Sequence, residues 1–136
     1  MSSGVADKIK YWENFAITWQ ISEDGTEDSW TNIDQSMNTL YVTYKTPELV
    51  SDQIGYDWFH TLFRVGCESA ADLSTDEEII NAIWNKLRTR HILAADNNEP
   101  LFYYRTWECQ NYTTANLLAT NDGQCGSWAR FFIDLL

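Results

Sequence analysis

The sequence predicts an α+β fold: a small N-terminal antiparallel β segment, followed by helices that end in a cysteine-bearing helix. Three observations indicate it. Apolar and polar residues alternate over 15–21, which is the period of a half-buried strand. Apolar residues recur at helical spacing over 75–91. An Asp122-Gly123 pair, typical of a turn, stands close before Cys125 and a further apolar stripe of helical period.

The β-rich segment is expected within residues 10–46. The alternating run is its first strand, and the Asp24-Gly25 pair is typical of a hairpin turn. The residues that follow have the β-branched and aromatic composition of two further strands, which we place at Ser29 to Ile33 and at Leu40 to Tyr44, before Pro47. The sequence thus predicts three short antiparallel strands that need packing on one face to be stable.

Residues 47–136 are expected to be mainly helical. A helical stripe covers 54–70, with a strand as the alternative reading. The helix over 75–91 has the clearest pattern, because Ser74 and Glu77 form a capping box and its charges match the helix dipole. A short strand or extended segment over 101–104 and a short helix over 114–119 then lead to the Asp122-Gly123 pair.

Length and charge bound the architecture and the partners. A chain of 136 residues predicts one domain, 1–136. A formal net charge of −11 opposes binding to nucleic acid and to anionic membranes. No apolar run reaches the roughly 18 residues of a membrane span, and the first residues lack the apolar centre of a signal peptide. These observations leave the compartment open.

No metal or cofactor site is expected. The sequence has three cysteines and two histidines, and none of them stands at zinc-ligand spacing. The two cysteines other than Cys125 allow two interpretations. In an exported protein Cys67 and Cys109 could form a disulfide that leaves Cys125 as a lone thiol. In a reducing compartment all three stay reduced, which is the favoured interpretation.

Cys125 is the candidate nucleophile. A cysteine at the first turn of a helix meets unpaired backbone N–H groups and the positive end of the helix dipole, and both favour the thiolate. Gln124 could supply a side-chain donor to an oxyanion, and Trp128 flanks the thiol, although its place in the apolar stripe favours core packing. The alternative is that Cys125 serves as a small buried apolar residue.

Gly123-Gln124-Cys125, with Ala129 four residues after the cysteine and an aromatic run beyond, resembles the nucleophile motif of the transglutaminase-like superfamily. The resemblance covers about residues 74–136 and implies the front half of such a domain. It also implies thiolate attack on an amide or ester carbonyl. Cys125-Gly126-Ser127-Trp128 is similar to papain as well, but papain's second cysteine is missing here.

The resemblance also implies a histidine and an aspartate on strands that follow the cysteine helix. The sequence ends eleven residues after Cys125, so this catalytic-domain sheet is expected to be truncated and the domain inactive alone. His60 and His91 precede the cysteine, and each is a weak candidate for the base. Asp122 is expected to be an ordinary solvated carboxylate.

Two functions from different classes remain. The first is a transglutaminase-like cysteine acyl-transfer domain fragment, of protease or transamidase type. Its partner would be a peptide or protein substrate, or the missing C-terminal half of the domain. The second is a non-catalytic binding or assembly module, indicated by the absent base, the aromatic content of 15% and the unpaired strand edges. Self-association is possible under the second reading.

Overall fold

The computed structural model describes residues 7–26, 29–47, 60–106 and 112–136. In chain order the elements are β1 (Lys10–Ser22), β2 (Trp30–Val42), α1 (His60–Ser69), α2 (Asp76–Arg88), β3 (Phe102–Tyr103), α3 (Thr114–Thr120), β4 (Asp122–Gly123) and α4 (Cys125–Asp134). The expected α+β class, with β structure first and the cysteine helix last, is confirmed. No helix in the described ranges is long and apolar enough to cross a membrane.

Within the described residues, the N-terminal sheet contains two strands rather than the three expected. β1 and β2 pair antiparallel from Lys10 with Val42 to Ser22 with Trp30. The segments predicted as second and third strands are the two ends of β2. The mostly polar residues between them, 34–39, resemble a loop in sequence, but most of them are exposed in this two-stranded sheet. An exposed antiparallel strand tolerates polar side chains without breaking.

Two irregularities interrupt the hairpin. Glu13 and Asn14 stand opposite one residue of β2, and Asn14 has a φ of 57°. Asparagine adopts this left-handed conformation more readily than most residues, so it suits a bulge. A second shift in register lies between Trp19 and Gln20. At the tip, Gly25 has a φ of 72°, which supports the predicted turn at Asp24-Gly25.

The N-cap of α2 lies one residue later than predicted. Thr75, not Ser74, is the N-cap: its hydroxyl accepts from the Glu78 N–H at 3.4 Å and donates to the Glu78 carboxylate at 2.7 Å. The sequence offers Ser-x-x-Glu and Thr-x-x-Glu in overlapping frames, so pattern alone does not choose between them. At the other end α2 stops at Arg88, and Arg90 has a left-handed φ of 55°.

The remaining predicted elements are present with small changes of boundary. The helix expected over 54–70 is α1 where the structure describes it, and 54–59 lies outside the described residues. The short strand and short helix appear as β3 and α3. β3 pairs in parallel with β4, Phe102 opposite Asp122 and Tyr103 opposite Gly123, which the sequence did not predict.

The core forms two clusters that share the helix α1. One cluster joins Val65 of α1 to the loop before β3, to α3 and to α4; its buried members are Val65, Ile92, Ala94, Leu101, Leu117 and Phe131. The other joins the opposite side of α1 to α2 and to the start of β1; its buried members are Ile9, Cys67, Ala70, Ile79 and Ile83. The rings of Tyr11 and Tyr41, at the base of the hairpin, pack against the second cluster.

Candidate functional site

The corner that carries Cys125 is built from the end of α3, β4 and the start of α4. Asn121 ends α3 with a left-handed φ of 55°. The Phe102 N–H donates to the Asn121 carbonyl at 2.8 Å, and the Tyr104 N–H donates to the Gly123 carbonyl at 2.9 Å. The parallel pairing with β3 thus fixes the two residues before the N-cap of α4.

Gly123 is required by close packing rather than by a turn. Its φ is not positive, whereas Asn121 supplies the left-handed residue at this corner. A Cβ at position 123 would overlap the Ser127 hydroxyl and lie 2.9 Å from the Leu117 Cδ1. The turn interpretation of Asp122-Gly123 is therefore wrong: the pair forms β4, and its glycine lets α3 and α4 approach each other.

Asp122 is a buried structural carboxylate, in contrast to the solvated role expected. It is 6% exposed and accepts from the Arg105 N–H at 2.8 Å and from the Thr106 N–H at 3.0 Å. The Thr106 hydroxyl donates at 2.8 Å. Burial alone would raise the pKa of Asp122, but these bonds and one from the Gly123 N–H outweigh it, so the pKa is lowered.

Cys125 is the first residue of α4, as predicted, and its side chain is exposed. The alternative role as a small buried apolar residue is therefore wrong. Gln124 is the N-cap, and its side chain makes no capping hydrogen bond. Its carbonyl accepts from the buried Ser127 hydroxyl at 2.9 Å, which holds the first turn. Ala129 is exposed, one turn after the thiol.

Trp128 anchors α4 to β3. Its indole N–H donates to the Phe102 carbonyl at 3.1 Å, and its ring meets that of Phe131 edge-on at 6.0 Å. It also packs against the core cluster that contains Phe131. These contacts assign Trp128 a packing role, and they leave Gln124 as the predicted supporting residue next to the thiol.

Neither histidine joins the cysteine. Tyr41 Oη lies 2.6 Å from His60 Nε2, and His60 Nδ1 lies 3.6 Å from a carboxylate oxygen of Asp96. His60 thus links the hairpin, α1 and the loop after α2. His91 follows the end of α2, and its backbone N–H donates to the Thr89 hydroxyl at 3.2 Å. Within the described ranges no hydrogen bond or ion pair connects Cys125 to a base.

Of the other two cysteines, the structure describes only Cys67. Cys67 is a free thiol in the core, so it forms no disulfide with Cys109, and Cys109 itself lies outside the described residues. Burial raises the pKa of the Cys67 thiol to about 11. Among the described residues, no group of His, Cys, Asp and Glu is placed to hold a metal ion.

One cavity lies beside Cys67, between the end of β2, α1, α2 and the end of α4. Its volume is about 210 Å³, and isoleucine and leucine side chains form much of its wall. Lys45 and Asp76 stand at this cavity and form an ion pair at 3.4 Å. The volume is below the roughly 300–1,000 Å³ of small-molecule sites, so the cavity is a weak candidate.

Comparison with models of protein families, with curated proteins and with solved structures finds no match for this chain. The transglutaminase-like resemblance therefore stays a prediction based on the motif around Cys125.

The hairpin is the other candidate site, because one of its faces carries a row of large apolar side chains. Residues opposite each other in an antiparallel pair share a face, and successive residues alternate. The row on β1 consists of Phe15, Ile17, Trp19 and Ile21, of which all but Ile17 are exposed. Its direct partners on β2 are polar: Asn38, Ser36, Asp34 and Thr31.

The contacts that attach the hairpin to the helices lie at its base. Tyr41 packs its ring against that of Phe63 at 5.9 Å, and the Cys67 thiol lies 3.8 Å from the Val42 carbonyl. The apolar row begins beyond the bulge at Asn14, away from these contacts. The sequence already indicated this site through the alternation over 15–21, but that alternation was interpreted as a half-buried strand.

Proposed function

We propose that the protein is a binding module that docks a polypeptide partner on the apolar row of its hairpin. The observation that carries the proposal is the exposure of Phe15, Trp19 and Ile21 on a single face of β1. Aromatic residues are enriched at the cores of protein interfaces, where they supply large contact areas. A soluble protein rarely exposes such a contiguous row without a partner for it.

Two further observations support docking of a polypeptide. Among the residues that the structure describes, each strand of the hairpin has an unpaired edge, and an extended segment can add to such an edge through main-chain hydrogen bonds. The indole of Trp19 is also held in place, because its N–H donates to the Ser36 hydroxyl across the face at 3.0 Å. A rigid aromatic side chain loses little conformational entropy on binding.

The proposal is tested by selecting binders from an unbiased peptide library with the whole chain as bait. Enriched peptides are then measured against a variant with Phe15→Ser and Trp19→Ser, and against the matched control Trp30→Ser. Trp30 is as exposed as Trp19, at 52% against 50%, but pairs with Ser22 on the opposite face. We expect the double variant to weaken binding at least tenfold while the control binds normally.

Equal binding of the enriched peptides to the wild-type chain and the double variant would refute the proposal. Circular dichroism of each variant establishes that the fold is intact, since all three substitutions are at exposed positions.

A second candidate function is acyl transfer by Cys125, and the exposed thiol at the first residue of α4 favours it. The thiolate sulfur would attack the carbonyl carbon of an amide or ester and expel the amine or alcohol. Water or a second amine would then take the acyl group from the thioester. This reaction would also need a general base, supplied by another polypeptide or by residues outside the described ranges.

Alkylation of the native protein by iodoacetamide, followed residue by residue with mass spectrometry, tests this second candidate. We expect Cys125 to react at pH 7 at least several times faster than cysteine in an unstructured peptide. A rate no greater than that of the peptide removes the case for an activated nucleophile.

A further inference from the structure

The hairpin carries a large excess of negative charge. Residues 10–42 contain one cationic side chain, Lys10, which forms an ion pair with Asp72 at the hairpin's base. The same residues contain six carboxylates, namely Glu13, Glu23, Asp24, Glu27, Asp28 and Asp34. An acidic surface attracts cationic partners and repels anionic ones, so the hairpin is complementary to a basic segment.

Asp34 brings one of these carboxylates onto the apolar row itself. It lies directly opposite Trp19, and directly opposed residues of an antiparallel pair have Cβ atoms about 4.5–5.5 Å apart. One Asp34 oxygen accepts from the Gln35 N–H at 2.7 Å, and no described hydrogen bond uses the other. The Asp34 carboxylate is therefore a direct cross-strand neighbour of an exposed indole.

An indole face beside a carboxylate is a suitable receptor for the cationic group of lysine or arginine. The cation interacts with the ring by cation–π attraction and with the carboxylate by a charge-assisted hydrogen bond. Arginine fits best, because its planar guanidinium stacks on aromatic rings while its N–H groups remain available at the edge. The Trp19 ring is already oriented by its bond to Ser36, so this receptor is formed before binding.

The apolar row and the charges together define the ligand. From these observations we infer that the β1 face of the hairpin binds an extended polypeptide segment in which every second side chain faces the hairpin, one of these being arginine or lysine and the others apolar. The cationic side chain lies over Trp19 beside Asp34, and the apolar side chains of the segment contact Ile21 and Phe15. Phe15 lies about 13 Å from Trp19 along the strand. This inference rests on the proposed function and specifies the class of partner.

A second copy of the chain is a poorer occupant of the same face. Each chain carries a formal net charge of −11, and two facing hairpins would bring their carboxylates together. Nucleic acid is excluded by the same sign of charge. A neutral polysaccharide could stack on Phe15 and Trp19, and the experiment below separates this possibility from a cationic peptide.

The test is a titration of the whole chain with three dye-labelled synthetic peptides, followed by fluorescence anisotropy. In the first, every second residue is valine except for one central arginine, and the residues between them are serine. The second replaces arginine with citrulline, which keeps the shape and removes the charge. The third replaces arginine with glutamate. We expect the arginine peptide to bind at least tenfold more tightly than the citrulline peptide, and the glutamate peptide not to bind.

Variants locate the site. Trp19→Leu removes the ring, and Asp34→Asn removes the charge while keeping an oxygen that can accept from the Gln35 N–H. Each should weaken binding of the arginine peptide about threefold to tenfold. The matched control Trp30→Leu, at an equally exposed tryptophan on the opposite face, should leave it unchanged.

Three outcomes would overturn the inference. They are equal affinity for the citrulline peptide, a loss with Trp30→Leu as large as with Trp19→Leu, and binding of a soluble neutral glucan that competes with the arginine peptide. Should the library select peptides that need the row but are not cationic, this inference fails and the binding module stands. Should no selected peptide need the row, the proposed function fails as well.

Discussion

At the scale of single residues, the corner before Cys125 depends on one glycine and one buried carboxylate. Gly123 leaves the space into which Ser127 and Leu117 pack, and Asp122 accepts the N–H groups of two residues after β3. Both effects position α4 relative to α3 and β3. They therefore determine where the Cys125 thiol lies, although neither residue is exposed.

Gly123→Ala is expected to destabilise the protein by about 1–3 kcal/mol, as overpacking of a filled core does. The added methyl group would overlap Ser127 Oγ and lie 2.9 Å from Leu117 Cδ1. The matched control is Gly126→Ala, where the nearest atom would be Tyr112 Cδ1 at 3.5 Å, an ordinary contact. Since Gly126 is within α4, alanine there should be neutral or stabilising by up to about 1 kcal/mol. Urea unfolding measures both, and equal effects would contradict the steric argument.

Asp122→Asn is expected to lower stability by about 1–3 kcal/mol at pH 7, because the charged acceptor of several hydrogen bonds is lost. The folded-state pKa of Asp122 is lowered, so its contribution is present above the unfolded-state pKa of about 3.9. This contribution to stability is lost as the pH falls through the folded-state pKa.

The stability gap between wild type and Asp122→Asn should therefore narrow below about pH 4, as measured by urea unfolding over a pH series. Glu99→Gln, at an exposed position, serves as the control and should change stability by less than about 0.5 kcal/mol. A gap that stays constant down to pH 2 would show that the charge of Asp122 does not contribute.

At the scale of elements, the hairpin is attached to the helices by a small group of aromatic residues. Tyr41 stacks on Tyr11 at 5.5 Å and contacts Phe63, while its hydroxyl meets His60 at the start of α1. Tyr41 thus makes several of the contacts that orient the hairpin relative to α1.

The Tyr41–His60 contact is expected to contribute about 0.5–1.5 kcal/mol, the usual net value of a hydrogen bond. A double-mutant cycle with Tyr41→Phe and His60→Ala measures it by urea unfolding, since phenylalanine keeps the ring and removes only the hydroxyl. A parallel cycle with His91→Ala provides the control, because His91 lies at the end of α2, and it should show no coupling to Tyr41. Zero coupling in both cycles would show that the Tyr41 hydroxyl gains no stability from His60.

The elements differ in how far the sequence predicted them. α2 follows from apolar period and charge, and α4 from apolar period, because these signals lie within the helices themselves. The hairpin was predicted with one strand too many, since polar residues in β2 are compatible with a solvent-exposed strand as well as with a loop. The β3–β4 pairing could not be predicted, because two residues in each strand carry no pattern. The burial of Asp122 was missed for a similar reason: its partners, Arg105 and Thr106, are 17 and 16 residues earlier in the chain.

At the scale of the whole molecule, α1 joins the two core clusters, with Val65 in one and Cys67 in the other. The Cys67 thiol also lies beside the Val42 carbonyl at the end of β2. Exposure of this thiol to solvent therefore requires the base of the hairpin, α1 and α2 to separate from one another. The reactivity of this thiol reports whether the described elements unfold as a single domain.

In a Cys109→Ser background, Cys125 should react with a thiol reagent at once. Cys67 should react at least about 1,000-fold more slowly, because it is buried, its pKa is raised to about 11, and typical folding free energies are 5–15 kcal/mol. Labelling of Cys67 should also accelerate in urea in parallel with the loss of helical circular dichroism. Labelling that precedes this loss would indicate that the hairpin side opens independently, against a single domain.

The acidic character of the hairpin has a consequence for how the protein behaves at high concentration. In the described part of the chain, both strands of the hairpin have an unpaired edge and one face carries a row of exposed apolar residues. Cross-β aggregates grow from such features. The carboxylates around the tip place like charges on every hairpin that approaches, and such residues act as gatekeepers against edge-to-edge assembly. The charges that we propose attract a cationic segment would thus also keep identical chains from stacking on the face of β1.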